Sequence, residues 1–412
     1  MSAVIGAVHY EGFYAGDLKR EPSGRCIFAY DQAYLEAYRP DIAFTLPRSG
    51  EPYISENGLH PFFDNLVAEG WLRNAQARAI GTSPDDRFDL LLAFGHDCAG
   101  GVSVRTAAPG DPPNIDIGDP TAVAALTSRA SLSGVQPKVL AVRDGKRFRP
   151  ARRDETSRYI AKLPSGALRD IVENEFITTE ATRAFLPDDR ITKLEIASVD
   201  GIDGRALLVE RFDRLGSGAR IHFEEFNQLL GRRSGDDKYN ARYDDMAEFI
   251  LRTPGCTPVD AWRLYRRELV CFLTGNTDAH LKNFAMFHTS DGLRLTPAYD
   301  LVAAALYPEY ATVALALGEA RNLMIDQIKP KHLVALGHAH RLGAHEILDA
   351  VSQLGACRKA AIKAAKAAAA RAGAERLGDE LVNFMEHRWN GSFASIGQFL
   401  SKKPSDAGAN SI

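Results

Sequence analysis

The chain has 412 residues, 45% hydrophobic and 25% charged, a balance that excludes a disordered or fibrous polypeptide and suits a globular protein of two or three domains. A formal net charge of −3 excludes a strongly basic protein that coats nucleic acid without sequence preference, so any association with DNA calls for a partner. Cys26, Cys98, Cys256, Cys271 and Cys357 are scattered with no Cys-x-x-Cys pair, which argues against a disulfide framework and a cysteine zinc cluster and for a reduced compartment. The N-terminus has no basic stretch leading into an apolar run, and nowhere do eighteen apolar residues follow one another. No signal peptide or membrane span is therefore expected, and the predicted location is the cytoplasm.

In chain order, residues 3–36 alternate short β-like runs with turn signals at Glu11–Gly12 and around Pro22 to Gly24, the pattern of an antiparallel meander. Residues 61–80 then place Phe62, Leu66 and Leu72 near one face of a helix, and RFDLLLAFGHDCAGGVSV runs from helix through glycines into a strand. This predicts an α/β subdomain over 1–107. The proline-rich, acidic segment 108–119 reads as a linker. A β-rich lobe is expected over 120–225, interrupted by one longer helix starting near Asn174. A helical lobe over 226–400 contains a single hairpin, and 401–412 form a disordered tail. The Ala/Lys/Arg stretch 356–376 reads as a helix with a solvated charged face. The architecture is α+β and bilobal, with a cleft between the lobes.

The chemistry concentrates in GNTDAHLKNFAMFHTSDGLRLTPAYDLV. Asp278, His280 and Asn283 share one short loop, and folding the hairpin about Ser290 to Gly292 returns the chain so that Asp300 comes close to Asn283. Phosphoryl transfer needs such a set. A carboxylate accepts the acceptor hydroxyl's proton, and an amide oxygen and a second carboxylate, both hard oxygen donors, hold magnesium. Asp278 is the candidate base, and Asn283 and Asp300 are the candidate ligands. A bare Asp-x-x-x-x-Asn also caps and turns loops, so three further segments bear on the choice. Lys162 lies in an apolar strand, YIAKLP, where an ammonium group calls for an anionic partner or snorkels at the strand end. Glu175, at the start of the following helix, is placed to position it. SLSGVQPK, residues 131–138, reads as a loop over phosphates or a plain hairpin turn. VERFDR, 209–214, reads as a hinge offering the backbone of Glu210 and Phe212 to an adenine edge, or as an edge strand.

Taken together and in this order, SLSGVQPK, KLP, ENE, VERFDR, NTDAHLKNF and LTPAYDL resemble the HipA family of protein kinases, and RPDIAFTLP, PFFDNL and RFDLLLAFGHDCAGGV extend the resemblance into the N-terminal subdomain. The resemblance implies a protein-kinase-like fold and an ATP- and magnesium-dependent serine/threonine kinase. Under it Asp278 is the catalytic base, Asn283 and Asp300 are the magnesium ligands, and Lys162 is the ATP-phosphate lysine. Ser133, Gly134, Val135, Gln136 and Lys138 belong to the phosphate loop. The adenine hinge comprises Glu210, Arg211, Phe212 and Asp213, while His280, Lys282 and Tyr299 line the nucleotide site. Ser131 matches the autophosphorylated, inactivating serine, with Ser133 as a second candidate; a two-serine loop is similar to the HipT branch, which lacks the N-terminal subdomain.

The family also implies the toxin of a type II toxin–antitoxin operon. Its partner is a HipB-like helix-turn-helix antitoxin that carries the operator DNA contacts, and aminoacyl-tRNA synthetases are familiar targets whose modification arrests growth. Other classes of function are a corepressor with vestigial chemistry and a small-molecule kinase on the same scaffold. His338, His340 and His345 read as solvent-facing helix residues rather than a metal site, for want of a partnering carboxylate or cysteine pattern.

Overall fold

The computed structural model describes residues 4–106, 120–127, 136–152 and 155–401. The expected linker 108–119, the serines Ser131 and Ser133 with Gly134 and Val135, and the tail from 402 onward lie outside the described residues. The chain packs as two compact units. One is formed by the described parts of Met1–Val172, Thr192–Lys238 and Phe284–Thr296, and the other by those of Glu173–Ile191, Tyr239–Asn283 and Pro297–Ile412. These boundaries do not follow chain order. The hairpin leaves the helical part of the chain to join the β-rich unit, and most of the helix Ile171–Phe185 goes the other way.

In the first unit, β1 (Val4–Tyr10), β2 (Phe13–Arg20) and β3 (Cys26–Tyr30) form the predicted antiparallel meander. With β4 (Tyr53–Ser55) and β5 (Val102–Thr106) they make a sheet of order β4-β3-β2-β1-β5. The single helix expected over 61–80 is two, Pro61–Asn65 and Gly70–Ile80. Gly70 has φ +55, in the left-handed region that a side chain resists, and it breaks the helical path. The break has a packing consequence: Phe62, Phe63 and Leu66 fill the core beneath the first sheet, while Ala68 and Leu72 enter a second core.

That second core lies under β6 (Lys138–Asp144), β7 (Arg147–Pro150), β8 (Tyr159–Lys162), β9 (Leu194–Ser198) and β10 (Arg205–Glu210), ordered β7-β6-β8-β10-β9 with neighbouring strands antiparallel. A third sheet holds β11 (Phe223–Glu225), β12 (Ala285–Thr289) and β13 (Gly292–Leu295). The hairpin of β12 and β13 is legible in the sequence, but its pairing with β11 joins residues some sixty positions apart and is not.

The second unit is mainly helical. Its central helix, Pro258–Thr274, starts with Thr257 accepting the Asp260 N–H and with proline at its first position, where no amide donor is needed. From Leu264 to Thr274 every residue is buried. The helix predicted from Asn174 begins three residues earlier. The Ala/Lys/Arg stretch belongs to a 29-residue helix, Ala344–Ala372, on which Lys359, Lys363 and Lys366 are exposed while Ala361, Ala365 and Ala368 are buried, as the solvated-face reading expects. Among the described residues no helix is long and apolar enough to cross a membrane.

Candidate active site

Within the second unit, the loop that follows the central helix is pinned from several sides. Thr277 Oγ donates to the Tyr310 carbonyl at 2.5 Å and the Thr277 carbonyl accepts the Ala314 N–H at 2.7 Å, while Tyr243 Oη donates to the Ala279 carbonyl at 3.0 Å. The His280 N–H reaches both the Asp278 carbonyl (2.8 Å) and Asn283 Oδ1 (3.0 Å), closing a tight turn. From 271 to 287 every residue is buried except Asp278, which is partly exposed. The fold thus presents one carboxylate on an otherwise sealed loop.

Asn283 Nδ2 donates to Asp300 Oδ2 at 2.5 Å. Tyr299 Oη donates to the Lys282 carbonyl at 2.7 Å, and the Lys282 N–H donates to His280 Nδ1 at 3.3 Å. Asp278, His280, Lys282, Asn283, Tyr299 and Asp300 are therefore gathered in one place. Asp300 has φ +57, a left-handed conformation that a residue with a side chain adopts at a cost and that clusters at functional sites. An amide oxygen has two lone pairs and a carboxylate about four acceptor directions, so Asn283 and Asp300 can keep their mutual bond and still offer hard oxygen atoms to a cation. The donor set fits magnesium.

Of the other described candidates, Gln136, Lys138, Lys162 and Glu210–Asp213 lie in the first unit and Glu175 in the second. Lys162 on β8 sits directly opposite Lys138 on β6, and directly opposed residues of an antiparallel ladder share a face. Gln136 Nε2 donates to the Leu163 carbonyl at 2.7 Å and the Leu163 N–H to the Pro137 carbonyl at 2.8 Å, which hold the end of the 131–138 segment beside Lys162.

In VERFDR the side chains of Arg211 and Asp213 are buried in an ion-pair network with Asp97 and Arg214. Arg211 meets Asp97 at 3.0 Å and Asp213 at 3.1 Å, Arg214 meets Asp213 at 2.7 Å and is paired with Asp97, and Arg220 approaches Asp97 at 3.5 Å. Asp213 also accepts the Gly100 N–H at 2.8 Å; Gly100 has φ +74 and a Cβ there would sit tightly, 3.0 Å from the Phe223 carbonyl oxygen, so the position favours glycine. Burial alone would raise the Asp97 carboxyl, and the guanidinium groups of Arg211, Arg214 and Arg220 more than reverse this, holding it well below the usual carboxylate range. The backbone N–H groups of Glu210 and Arg211 bond the carbonyls of Lys193 (3.0 Å) and Arg158 (2.8 Å). Phe212 packs its ring edge-on against Phe223 and Phe287.

The histidines differ from expectation. His338 and His345 are exposed, but His340 is buried with Nε2 3.3 Å from Glu268 Oε2, both side chains fully covered. Its Nδ1 faces the Leu336 carbonyl at 2.9 Å and so carries the proton, leaving a lone pair on Nε2 toward the carboxyl. Burial pushes Glu268 well up and His340 down to about 4, so the pair is a neutral acid facing a neutral imidazole. Glu268 therefore stabilises the fold most below its unfolded pKa and loses that contribution as pH rises, whereas His340 adds stability as pH rises from about 4 to its unfolded value. Glu268→Gln keeps the size of a neutral side chain and removes the titrating carboxyl: in urea titrations at pH 6, 7 and 8 its stability is expected to gain on the wild type as pH increases.

His222, Glu224 and His288 form another buried group, with one nitrogen or oxygen of each within 4.8 Å of the others. His222 Nδ1 accepts the Gly101 N–H at 3.2 Å, which places the neutral ring's proton on Nε2. Glu224 Oε1 accepts the Phe44 N–H at 2.6 Å and faces His288 Nε2 at 2.7 Å. These bonds make the group a clamp between the first and third sheets. Asp97, Arg214, Glu224 and Tyr239, whose hydroxyl donates to Asp278 Oδ1 at 3.0 Å, are the residues that sequence reasoning missed. Each acts on a partner distant in the chain, and no local pattern marks it.

A model of the HipA-like C-terminal domain matches residues 130–372, and one of the HipA N-terminal domain matches residues 6–105. The chain belongs to the HipA family of kinases. Among its relatives, a protein of Sinorhizobium fredii named as kinase Y4dM is 31% identical over 345 residues, covering 79% of this chain and 83% of the relative. The serine/threonine-protein kinase toxin HipA of Shewanella oneidensis is 30% identical over 308 residues, covering 65% of this chain and 67% of the relative. In fold, the HipA-family chain is similar to a solved Shewanella oneidensis structure of HipA with HipB and operator DNA, with a TM-score of 0.74 at 21% identity over 95% of this chain and 99% of that one. The α+β, kinase-like fold expected from the sequence is thereby established.

Proposed function

We propose that this chain is an ATP- and Mg2+-dependent serine/threonine protein kinase and the toxin of a type II toxin–antitoxin module. The observation that carries the chemistry is the juxtaposition of Asp300 with Asn283, which shares a pinned loop with the partly exposed Asp278. In this reading Asp278 takes the proton of a protein hydroxyl, Asn283 and Asp300 hold magnesium, and Lys162 with Lys138 pairs with nucleotide phosphate. Magnesium supplies charge neutralisation on the phosphates. Adenine would meet the VERFDR segment through the Glu210 carbonyl and the Phe212 backbone, because the Glu210 N–H is already bonded. Likeness to the Shewanella oneidensis toxin and to its complex supports a HipB-like antitoxin as partner and operator DNA reached through it. The substrate is a cytosolic protein, with an aminoacyl-tRNA synthetase as first candidate.

The test is phosphoproteomics after induction of the chain beside its Asp278→Ala variant. Phosphosites present only with the active chain are expected, and identical phosphoproteomes would leave the corepressor reading instead. Mass spectrometry of the same purified proteins tests self-inactivation. Phosphate is expected on Ser131, or on Ser133, in the active chain alone, because roughly −1.5 to −2 added charge in the phosphate loop repels the nucleotide. Phosphate on neither serine, or on both proteins equally, would remove that step and leave the kinase assignment standing.

A further inference from the structure

Tyr239 opens the segment Tyr239–Asn283 of the helical unit. Its phenol oxygen donates to Asp278 Oδ1 at 3.0 Å, and its ring stands edge-on to the His280 ring, with centroids 5.2 Å apart and planes at 77°. The side chain is 39% exposed, so packing in a core does not account for its place. It touches Asp278 and, two positions on, the buried His280 whose Nδ1 and N–H shape the turn. A tyrosine thus reaches the carboxylate of the catalytic loop from the solvent side, 39 positions away in sequence.

We propose that Tyr239 is a positioning residue for phosphoryl transfer: its hydroxyl fixes the rotamer of the Asp278 carboxylate, ready to accept the proton of the incoming hydroxyl. The inference rests on Asp278 as the base. An aspartate side chain on an exposed loop samples several orientations, and a base must stay within hydrogen-bond reach of the proton it removes. The backbone is held by the Ala279 and His280 bonds, and the phenol bonds the carboxylate. A carboxylate has about four acceptor directions, so the phenol bond does not by itself block the substrate proton. A stopper blocking the acceptor would have the opposite kinetic sign.

The experiment compares full-length wild type, Tyr239→Phe, Tyr239→Leu and Asp278→Asn with [γ-32P]ATP and Mg2+, using a degenerate serine/threonine peptide library as acceptor and counting inorganic phosphate released to water in parallel. Tyr239→Phe retains the ring against His280 and is expected to melt like the wild type. Its kcat should fall roughly tenfold, the scale of one hydrogen bond to a charged group, with the KM for ATP unchanged. Tyr239→Leu, which also loses the ring, should be slower than Tyr239→Phe. A Tyr239→Phe kcat equal to or above that of the wild type would overturn the positioning role. If Asp278→Asn keeps wild-type activity, the base assignment itself fails; an inactive Asp278→Asn beside an unaltered Tyr239→Phe removes Tyr239 alone.

Discussion

Asp278→Asn is expected to lower phosphoryl transfer by about 10²–10⁴-fold, the contribution of a positioned general base. The amide preserves the volume of the carboxylate and its place in the turn, so the loss reads basicity rather than folding. Asp300→Asn should cost at least as much, because Asp300 holds Asn283 at 2.5 Å as well as offering the cation an oxygen. The two losses should not add. Base and metal ligands act on one transition state, and once either is missing the other has little left to stabilise. Rates with [γ-32P]ATP for both single variants and the double variant give the check. A double variant slower than the singles by the product of their losses would mean that the two residues work independently. The Asp300 change should also weaken the response to added Mg2+, whereas the Asp278 change should leave that response intact.

The second large effect is on stability. Asp97→Asn removes one carboxylate from a network in which the side chains of Arg211 and Arg214 are 3% and 0% exposed, leaving buried guanidinium groups short of counter-charge. Breaking a buried pair from one side costs about 3–5 kcal/mol, several times an exposed pair, because the desolvation of the remaining charge is no longer offset. Urea denaturation followed through the β-rich unit is expected to show a loss of that size, and a loss below about 1 kcal/mol would mean that the network does not hold the unit together. The pH dependence has a definite sign. The Asp97 carboxyl is held below its unfolded value, so its stabilisation is complete above about pH 4 and disappears as pH falls toward the folded value. The variant, lacking this group, should lose stability less steeply in acid than the wild type.

Pairs close in the chain were legible from sequence, and distant ones were not. Asn283 and Asp300 are 17 positions apart and are joined by a hairpin whose turn residues are written in the sequence, so their approach follows from local geometry. The meander, the alternation of β6 to β10 and the charged face of the Ala344–Ala372 helix follow from period and turn chemistry in the same way. Arg211 and Asp97 are 114 positions apart, and Tyr239 and Asp278 are 39 apart. Nothing in VERFDR distinguishes charges that face a nucleotide from charges that close a buried network; the partner decides, and it lies 114 positions away in the chain. His340 reads as a surface histidine until Glu268 is found against it. By itself, then, the sequence determined which residue types stand ready for phosphoryl transfer and the order in which the strands and helices form, since propensity, spacing and turns act over a few residues. The tertiary structure alone decided which charges are buried together and what holds the Asp278 carboxylate, because burial and pairing depend on contacts that chain neighbours do not encode.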